Sequence, residues 1–243
     1  MSTLKAHNIE PATGTDVALG AAGDSITVSG DSLKTNTIKD AGGNTLFTSD
    51  GAGTVSSVNS GLKGAGPILI SSQTASSSAS ISFTSGIDST YDKYMFVFVN
   101  MHPSNSNPDF YWIASTDAGS SYGVATTTTM FRATHNEDGS GGALTYRDGR
   151  DSAQNTGNIH LTGNAGNDAD QSASGEFHLY SPSSTTYVKH FTAGVNSLQT
   201  GSGFFYRWYS AGYINTTSAV TGIKFLCSGG NIDAGIIKMY GII

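Results

Sequence analysis

The chain has 243 residues, of which only 12% are Asp, Glu, Lys or Arg, and its formal net charge is −6. This is about half the charged fraction of an average domain. The 12 Lys and Arg residues are scattered along the chain, so no basic surface for nucleic acid is expected. No stretch approaches the roughly 18 apolar residues of a membrane-spanning helix, so membrane insertion is not expected either.

The composition favours strands over helices. Gly accounts for 31 residues, and Ser, Thr and Asn are abundant, whereas residues that favour helices are few. Aromatic residues make up 10% of the chain and are concentrated after Ser82, where they can supply a core. Cys227 is the single cysteine, and its apolar neighbours predict a small buried side chain rather than a reactive thiol. No apolar leader follows Met1, which predicts a soluble protein made in a cytoplasm.

The first 66 residues contain isolated apolar residues but no apolar run that could build a core. Such a segment cannot by itself bury enough apolar area to offset the entropy that it loses on ordering. We therefore expect other copies of the chain, or a neighbouring protein, to hold it. Residues 1–22 are predicted to be an anchoring arm that docks on another protein, and a flexible tail is the alternative.

Residues 23–66 alternate short extended segments with turns. Pairs such as Asp50-Gly51 supply the positive φ angles that hairpin turns require. Each segment presents one or two apolar side chains, so a single copy would form only a marginal sheet. Three copies wound around one axis would bury these side chains, and a Gly/Ser linker is the alternative. The first interpretation predicts a homotrimeric neck held together by Ile26, Val28, Leu33, Ile38, Leu46 and Val55.

Residues 67–243 contain longer strands that are rich in aromatic residues. The segment 93–100 (KYMFVFVN) is the strongest, and it is predicted to be a central strand covered on both faces. Turn residues separate nearly every pair of strands and no helical periodicity appears, so we predict an all-β fold, an antiparallel β-sandwich resembling a jelly roll. About nine strands are predicted; besides 93–100 they are 67–72, 78–84, 110–116, 175–180, 187–193, 206–213, 220–226 and 235–242.

Catalytic motifs are not recognisable in the chain, so no catalytic residue, metal ligand or cofactor is predicted. His178 and His190 alternate with apolar neighbours and are predicted to face the surface of their strands. The loops 136–142 and 164–170 carry oxygen ligands at short spacing, which favours turn chemistry over a calcium site because neither matches a calcium-loop pattern. A glycoside hydrolase would need two opposed carboxylates, and the candidates are Glu137, Asp138, Asp148, Asp151, Asp170 and Glu176.

A surface for sugars is a further possibility that the aromatic residues suggest. Aromatic rings near loops can stack on the faces of sugar rings, while Asn, Asp, Ser and Thr side chains bind sugar hydroxyls. For any single ring, a place in the core is the competing interpretation. The predicted glycan contacts are Tyr111, Trp112, Tyr122, Tyr146 and Tyr209.

Four segments resemble those of tailed-phage virion proteins, notably the fibres of marine phages. Residues 1–10 (MSTLKAHNIE) are similar to the start of such proteins, and 38–47 (IKDAGGNTLF) to the turns that follow it. Residues 49–62 (SDGAGTVSSVNSGL) resemble the neck before a globular tip domain. Residues 237–242 (IKMYGI) resemble the last strand of such a tip. The chain departs from that pattern because it has no long shaft.

The resemblance implies a non-enzymatic, homotrimeric component of a phage virion that is assembled in the host cytoplasm. Residues 1–22 would contact other virion proteins, residues 23–66 would form the trimeric neck, and residues 67–243 would form the outward β-sandwich tip. Attachment to host surface glycans is the leading hypothesis. Decoration of the capsid shell as a cement protein, and depolymerisation of host polysaccharide, are the alternatives.

Overall fold

A computed structural model describes residues 35, 37–40, 42–52, 55–58, 66–199, 201 and 203–242, with only the backbone at 55–58. These residues contain sixteen strands and no helix. The result follows from the composition, because β-branched and aromatic residues pack well on a pleated surface. The all-β fold predicted from the sequence is confirmed. The chain divides into two units, Met1–Lys63 and Gly64–Ile243.

The described part of the first unit is a small antiparallel sheet of β1 (Thr37–Lys39), β2 (Thr45–Ser49) and β3 (Val55–Val58). Ile38 lies directly opposite Phe47, so these two side chains share one face of the sheet. Leu46 precedes Phe47 and therefore lies on the other face. The remaining neck predictions, Ile26, Val28 and Leu33, and the predicted arm 1–22 lie outside the described residues, as does the side chain of Val55.

The second unit contains two antiparallel sheets. The large sheet has the order β10-β8-β14-β13-β12-β6-β16-β4, with β9 also paired to β8, and the small sheet has the order β11-β7-β15-β5. The strands are β4 (Ile68–Ser78), β5 (Ile81–Phe83), β6 (Lys93–Pro103), β7 (Phe110–Ser115), β8 (Thr126–Asn136), β9 (Ala143–Tyr146), β10 (Ser152–Asn155), β11 (Ile159–Thr162), β12 (Ala173–Tyr180), β13 (Lys189–Leu198), β14 (Phe204–Ile214), β15 (Gly222–Cys227) and β16 (Ile232–Ile242).

Eight of these strands form a jelly roll. The four strands β4, β16, β6 and β12 lie side by side in the large sheet, and β5, β15, β7 and β11 form the small one. Successive strands thus pass between the two sheets, as in a double Greek key. The other five strands, β13, β14, β8, β9 and β10, continue the large sheet beyond β12. We call these five strands the extension.

Aromatic rings fill the space between the two sheets. Phe225 on β15 is fully buried, and its ring contacts those of Phe83, Phe96, Phe98, Phe110 and Phe177 at centroid distances of 5.1–6.3 Å. Most of these pairs meet edge to face, the geometry that the ring quadrupoles favour. The core of the sandwich is therefore centred between β6 and β15.

Two details of the sequence prediction were wrong. Strand β6 is central, between β12 and β16, but only one of its faces is covered. Phe96 and Phe98 are buried, whereas Met95 and Val97 on the opposite face are half-buried and Val99 is exposed. In addition, the described part of this unit has thirteen strands rather than about nine. Strand β8 was missed because it is rich in Thr and shows little apolar alternation, and β9, β10 and β11 were missed because each has only four residues.

Candidate functional site

One face of the large sheet, the one directed away from the small sheet, is not covered by another sheet among the residues that the structure describes. We call it the open face. Because directly paired residues share a face, the strand register assigns the exposed large apolar side chains to it. Of the nine in the described residues, eight lie there: Leu69, Val99, Phe131, Leu144, Tyr146, Tyr180, Phe205 and Tyr209. Scattered exposed apolar residues are ordinary, but such a concentration on one face marks an interaction surface.

Three rings form a row across the extension. Tyr146 on β9 lies opposite Phe131 on β8, which lies opposite Tyr209 on β14. The rings of Phe131 and Tyr209 are stacked, with centroids 4.8 Å apart and an interplanar angle of 17°. Their residues are 38% exposed and Tyr146 is 55% exposed. The Tyr146 hydroxyl donates to Asp151 Oδ2 at 2.5 Å, which fixes the outer ring of the row.

A guanidinium group lies beside this row. The Arg207 guanidinium lies over the Tyr209 ring, 5.1 Å from its centroid, and Nη1 donates to Asn196 Oδ1 at 3.3 Å. The group occupies the place that a side chain at Gly194 would take, because a Cβ there would lie 2.3 Å from Arg207 Nη2. The missing side chain of Gly194 therefore leaves room for the guanidinium at this point of the sheet.

A groove of about 440 Å³ adjoins the aromatic row. Its lining includes Thr127, Thr129 and Thr192, with Ala211 and Tyr213 from β14. The small side chain of Ala211 leaves the depression, and the threonine hydroxyls line it with groups that both donate and accept hydrogen bonds. Rings, hydroxyls and a concave surface together can hold the alternating apolar and polar faces of a sugar chain.

The rim of the groove is held by Gln154, whose φ of 52° lies in the left-handed region. Its Nε2 donates to Thr127 Oγ1 at 2.7 Å and to the Tyr213 hydroxyl at 3.3 Å. Its Oε1 accepts from Asn215 Nδ2 at 2.6 Å. A residue other than glycine adopts this backbone conformation at some cost, and such residues are common at binding sites.

A second cluster of ionisable groups lies on the small sheet. The carboxylate of Asp109 accepts hydrogen bonds from Arg150 Nη1, from His160 Nε2 at 3.2 Å, from the Tyr111 hydroxyl at 3.4 Å and from the backbone N–H of Asn164 at 3.2 Å. Burial would raise the pKa of Asp109, but the His160 hydrogen bond and the Arg150 charge outweigh it and hold the pKa below its ordinary value. Because four donors already occupy this carboxylate, we interpret the cluster as structural.

The five predicted glycan contacts do not converge on one surface. Tyr146 and Tyr209 lie in the aromatic row, whereas Tyr111 belongs to the Asp109 cluster, and Lys224 Nζ lies 4.1 Å from the centroid of the Tyr122 ring. The assignment of Trp112 was wrong. Trp112 is 0% exposed and packs against Phe177 and Phe191, so its ring is part of the core.

Several residues of the open face were missed in the sequence. Arg207 stands within the aromatic segment 204–209 (FFYRWY), and the groove threonines include part of the run 126–129 (TTTT). A guanidinium between aromatic residues and a run of β-branched hydroxyl residues are both signals that were available. Phe131 offered no comparable signal, because its role depends on its pairing with Tyr146 and Tyr209.

The cysteine and the two histidines considered in the sequence analysis lie on strands of the second unit. Cys227 packs against the main core, and burial raises the pKa of its thiol to about 11, which disfavours the reactive thiolate. His190 is exposed on β13, as predicted, and the half-buried His178 contacts Glu176 Oε2 at 3.3 Å. No three His, Cys, Asp or Glu side chains in the described ranges are placed to bind a metal ion. A helix suited to crossing a membrane is likewise not found in the described ranges.

Comparison of the chain with protein-family models, with curated proteins and with solved structures finds no match.

Proposed function

We propose that the chain is a non-enzymatic, homotrimeric structural component of a phage virion whose β-sandwich binds glycans of the host surface. In this proposal the protein is assembled in the host cytoplasm. Residues 1–22 anchor it to other virion proteins, and the neck joins three copies. The sequence resemblance to phage fibres suggests the setting, and the geometry of the open face suggests the activity.

The aromatic row beside the threonine groove is the observation that carries the proposed binding activity. Tyr146, Phe131 and Tyr209 present ring surface to solvent, and the groove offers hydroxyl groups a few residues away on the same strands. Exposed rings lower the solubility and specificity of a protein unless they bind something. Ring surface together with neutral hydroxyl groups fits a sugar chain better than it fits a purely apolar partner.

The fold agrees with this role by analogy. Jelly rolls are frequent in viral capsid proteins and in lectins. One fold serves many functions, however, so the argument for binding rests on the residues of the open face and not on the fold.

The described part of the neck agrees with a role in self-assembly. Its three strands have three to five residues each, and Ile38, Leu46 and Phe47 are only half-buried. A sheet of this size is marginal without further packing. Three copies that meet through the face carrying Ile38 and Phe47 would supply that packing.

Light scattering of the full-length chain tests the trimer. We expect a trimer for the wild type and a lower mass for Ile38→Asp, because three buried carboxylates would meet on the axis. Leu46 and Ile38 were both predicted from the sequence to hold the trimer together, but the two side chains lie on opposite faces of the small sheet. Leu46→Asp is therefore the matched control, and this variant should stay trimeric. A wild-type monomer would contradict the homotrimer, and it would favour a decoration protein held in place by other virion components.

Binding to purified surface polysaccharide of candidate host bacteria tests the binding activity. We expect Tyr209→Ala to bind roughly five- to tenfold more weakly, because one stacked ring is lost. Tyr187→Ala is the control, since Tyr187 is more exposed than Tyr209 (73% against 38%) but lies in the loop before β13. Equal binding by both variants would contradict the role of the aromatic row, and turnover of the polysaccharide would contradict the non-enzymatic assignment.

A further inference from the structure

The four arginines of the chain all lie between residues 132 and 207, on β8, on β14 or in the turn between β9 and β10. They are Arg132, Arg147, Arg150 and Arg207. Three of them differ in whether a carboxylate pairs with the guanidinium and in which side of the sheet it lies on. Arg150 is paired with Asp109, and the Arg132 guanidinium lies on the inward side of the sheet, 4.1 Å from the centroid of Tyr206 and 5.0 Å from that of Trp208. Arg207 lies on the open face.

Arg207 has no carboxylate within 4 Å among the residues that the structure describes. A guanidinium has five N–H donors, and the acceptor recorded for this one is Asn196 Oδ1. Glu176 pairs in register with Gly194, on which the guanidinium rests, but the Glu176 carboxylate contacts His178 at 3.3 Å instead. Most of the donors of Arg207 therefore remain available for an anion.

The neighbours of Arg207 extend along a single strand. Alternate residues of a strand share a face, so Arg207, Tyr209, Ala211 and Tyr213 follow one another on the open face. At about 3.4 Å per residue this line is roughly 20 Å long. It begins with a cation, continues with an exposed ring and ends in the threonine groove. Such a sequence of groups matches a chain of sugar rings that carries a carboxylate.

We propose that the open face binds an acidic glycan, with Arg207 holding a sugar carboxylate, Tyr209 stacking on the ring of that sugar, and the groove binding the next sugars. A planar guanidinium can hold a carboxylate through two parallel hydrogen bonds, and the Tyr209 ring beneath it keeps it in a fixed plane. This inference rests on the proposed glycan-binding function and narrows it to sugars that carry a carboxylate.

The negative net charge of the chain means that binding of an acidic glycan would need a local positive group such as Arg207. At −6 the protein as a whole repels a polyanion, so general electrostatic attraction cannot account for binding to an acidic glycan. The attraction has to come from a specific, locally positive group. The guanidinium of Arg207 supplies such a group beside the exposed ring of Tyr209.

An array of oligogalacturonate, oligomannuronate and sialyllactose, each printed beside its methyl ester, tests the proposal with the full-length chain. Esterification removes the charge and leaves the sugar rings in place. We expect at least one acid to bind about tenfold more strongly than its ester, the range expected for a hydrogen bond to a charged group. The strongest acid is then measured by calorimetry.

Two arginine variants locate the site. Arg207→Met should reduce binding of the acid about tenfold and leave binding of the ester unchanged, because the methionine keeps an apolar stem but no charge. Arg132→Met is the matched control, since it removes a guanidinium that also lies on aromatic rings but on the inward side of the same strands. We expect it to retain binding of the acid.

The outcomes separate this inference from the proposed function. Equal binding of acid and ester, or an unchanged affinity in Arg207→Met, overturns the inference while leaving glycan binding in place if Tyr209→Ala still weakens it. Binding to no member of the array, acid or ester, overturns the inference, and the proposed function is overturned as well only if the purified host polysaccharide is not bound either. Light scattering of Arg207→Met at the same concentration shows whether the face instead binds a second copy, and a lower mass in this variant overturns the inference.

Discussion

The jelly-roll strands of the large sheet and the five strands of the extension share one hydrogen-bonded sheet but differ in what they cover. Strands β6, β12 and β16 press large apolar side chains, such as Phe96, Phe177 and Met239, against the small sheet. Strands β8 and β14 reach beyond most of that sheet. Their inward side carries a separate small cluster of Met130, Tyr206 and Trp208 with Phe204 beside it.

The second cluster differs from the main core in polarity. Of the eight buried side-chain atoms without a hydrogen-bond partner in the described residues, four lie on the inward side of β8 and β14: Arg132 Nε, Thr134 Oγ1, Asn136 Oδ1 and Ser210 Oγ. Burial, together with the charges of Arg147 and Arg150, lowers the pKa of Arg132. The jelly roll thus supplies most of the apolar burial, and the extension carries the residues proposed to bind the glycan. Stability and binding should therefore respond to different mutations.

The largest effect should follow from removing the centre of the jelly-roll core. Phe225→Ala deletes a ring that contacts five other rings, and we expect the free energy of unfolding to fall by about 3–5 kcal/mol. Urea unfolding at a fixed protein concentration measures it. Phe205→Ala, on the open face of the extension, should change the free energy of unfolding by less than about 0.5 kcal/mol. A similar loss in both variants would show that the open face is packed against something.

A smaller effect is expected at Asp109, which links the small sheet to the turn that precedes β10. Asp109→Asn leaves Arg150 and His160 without a charged partner, and we expect a loss of about 2–3 kcal/mol at pH 7. The pKa of Asp109 is held below its ordinary value in the folded protein, so its contribution is present above pH 4 and is lost as the pH falls through the lowered value.

Unfolding curves of wild type and Asp109→Asn between pH 7 and pH 2.5 check this sign. The difference in the free energy of unfolding between the two proteins should shrink as the pH falls. A difference that stays constant over this range would mean that the ion pair contributes nothing and that the amide fails for steric reasons.

A third effect concerns Lys189 at the start of β13, where the extension begins. Its ammonium is fully buried and donates to the carbonyl oxygens of Tyr187 and Thr216, each at 3.0 Å. Burial lowers its pKa, so the unfolded chain binds more protons than the folded one between the lowered value and the ordinary value near 10.5. The stability of the wild type should therefore rise, relative to Lys189→Met, as the pH increases from 8 to 10.5. If the stability of the wild type relative to Lys189→Met fell over this pH range, the pKa of Lys189 would not be lowered in the folded protein.

The sequence predicted the jelly roll better than it predicted the extension, for a physical reason. Strands such as β6 and β16 alternate or are continuously apolar because the main core requires it. Strand β8 begins with four threonines. Few apolar residues are needed on either side of this strand, because most of its outward side is polar and its inward side covers only a small cluster. Its β-branched residues favour a strand, but its apolar pattern does not indicate one.

The binding site could be predicted only in part. Tyr146 and Tyr209 are visible as aromatic residues near turns, but their proximity depends on the register of β9, β8 and β14. A slip of one residue in that register would send every ring to the other side of the sheet. The burial of Trp112 likewise depends on the tertiary structure, because one side of β7 faces β12 and β13. No local sequence pattern shows which side that is.

The smallest effect on stability, and the most selective one on binding, should come from Gly194. Gly194→Ala places a Cβ where Arg207 Nη2 now lies, and the guanidinium is the end of a flexible side chain that can move away at little cost. We expect the free energy of unfolding to change by less than about 0.5 kcal/mol, since alanine also favours the strand over glycine. Affinity for the acid form of the glycan should fall as it does in Arg207→Met, because the guanidinium is displaced from its place beside Tyr209. Gly175→Ala is the contrasting control, because its Cβ would lie 2.2 Å from the backbone oxygen of Gly194 and nothing flexible can yield there, so that variant should lose stability. If Gly194→Ala binds the acid as the wild type does, the position of the guanidinium over Gly194 is not what the glycan recognises.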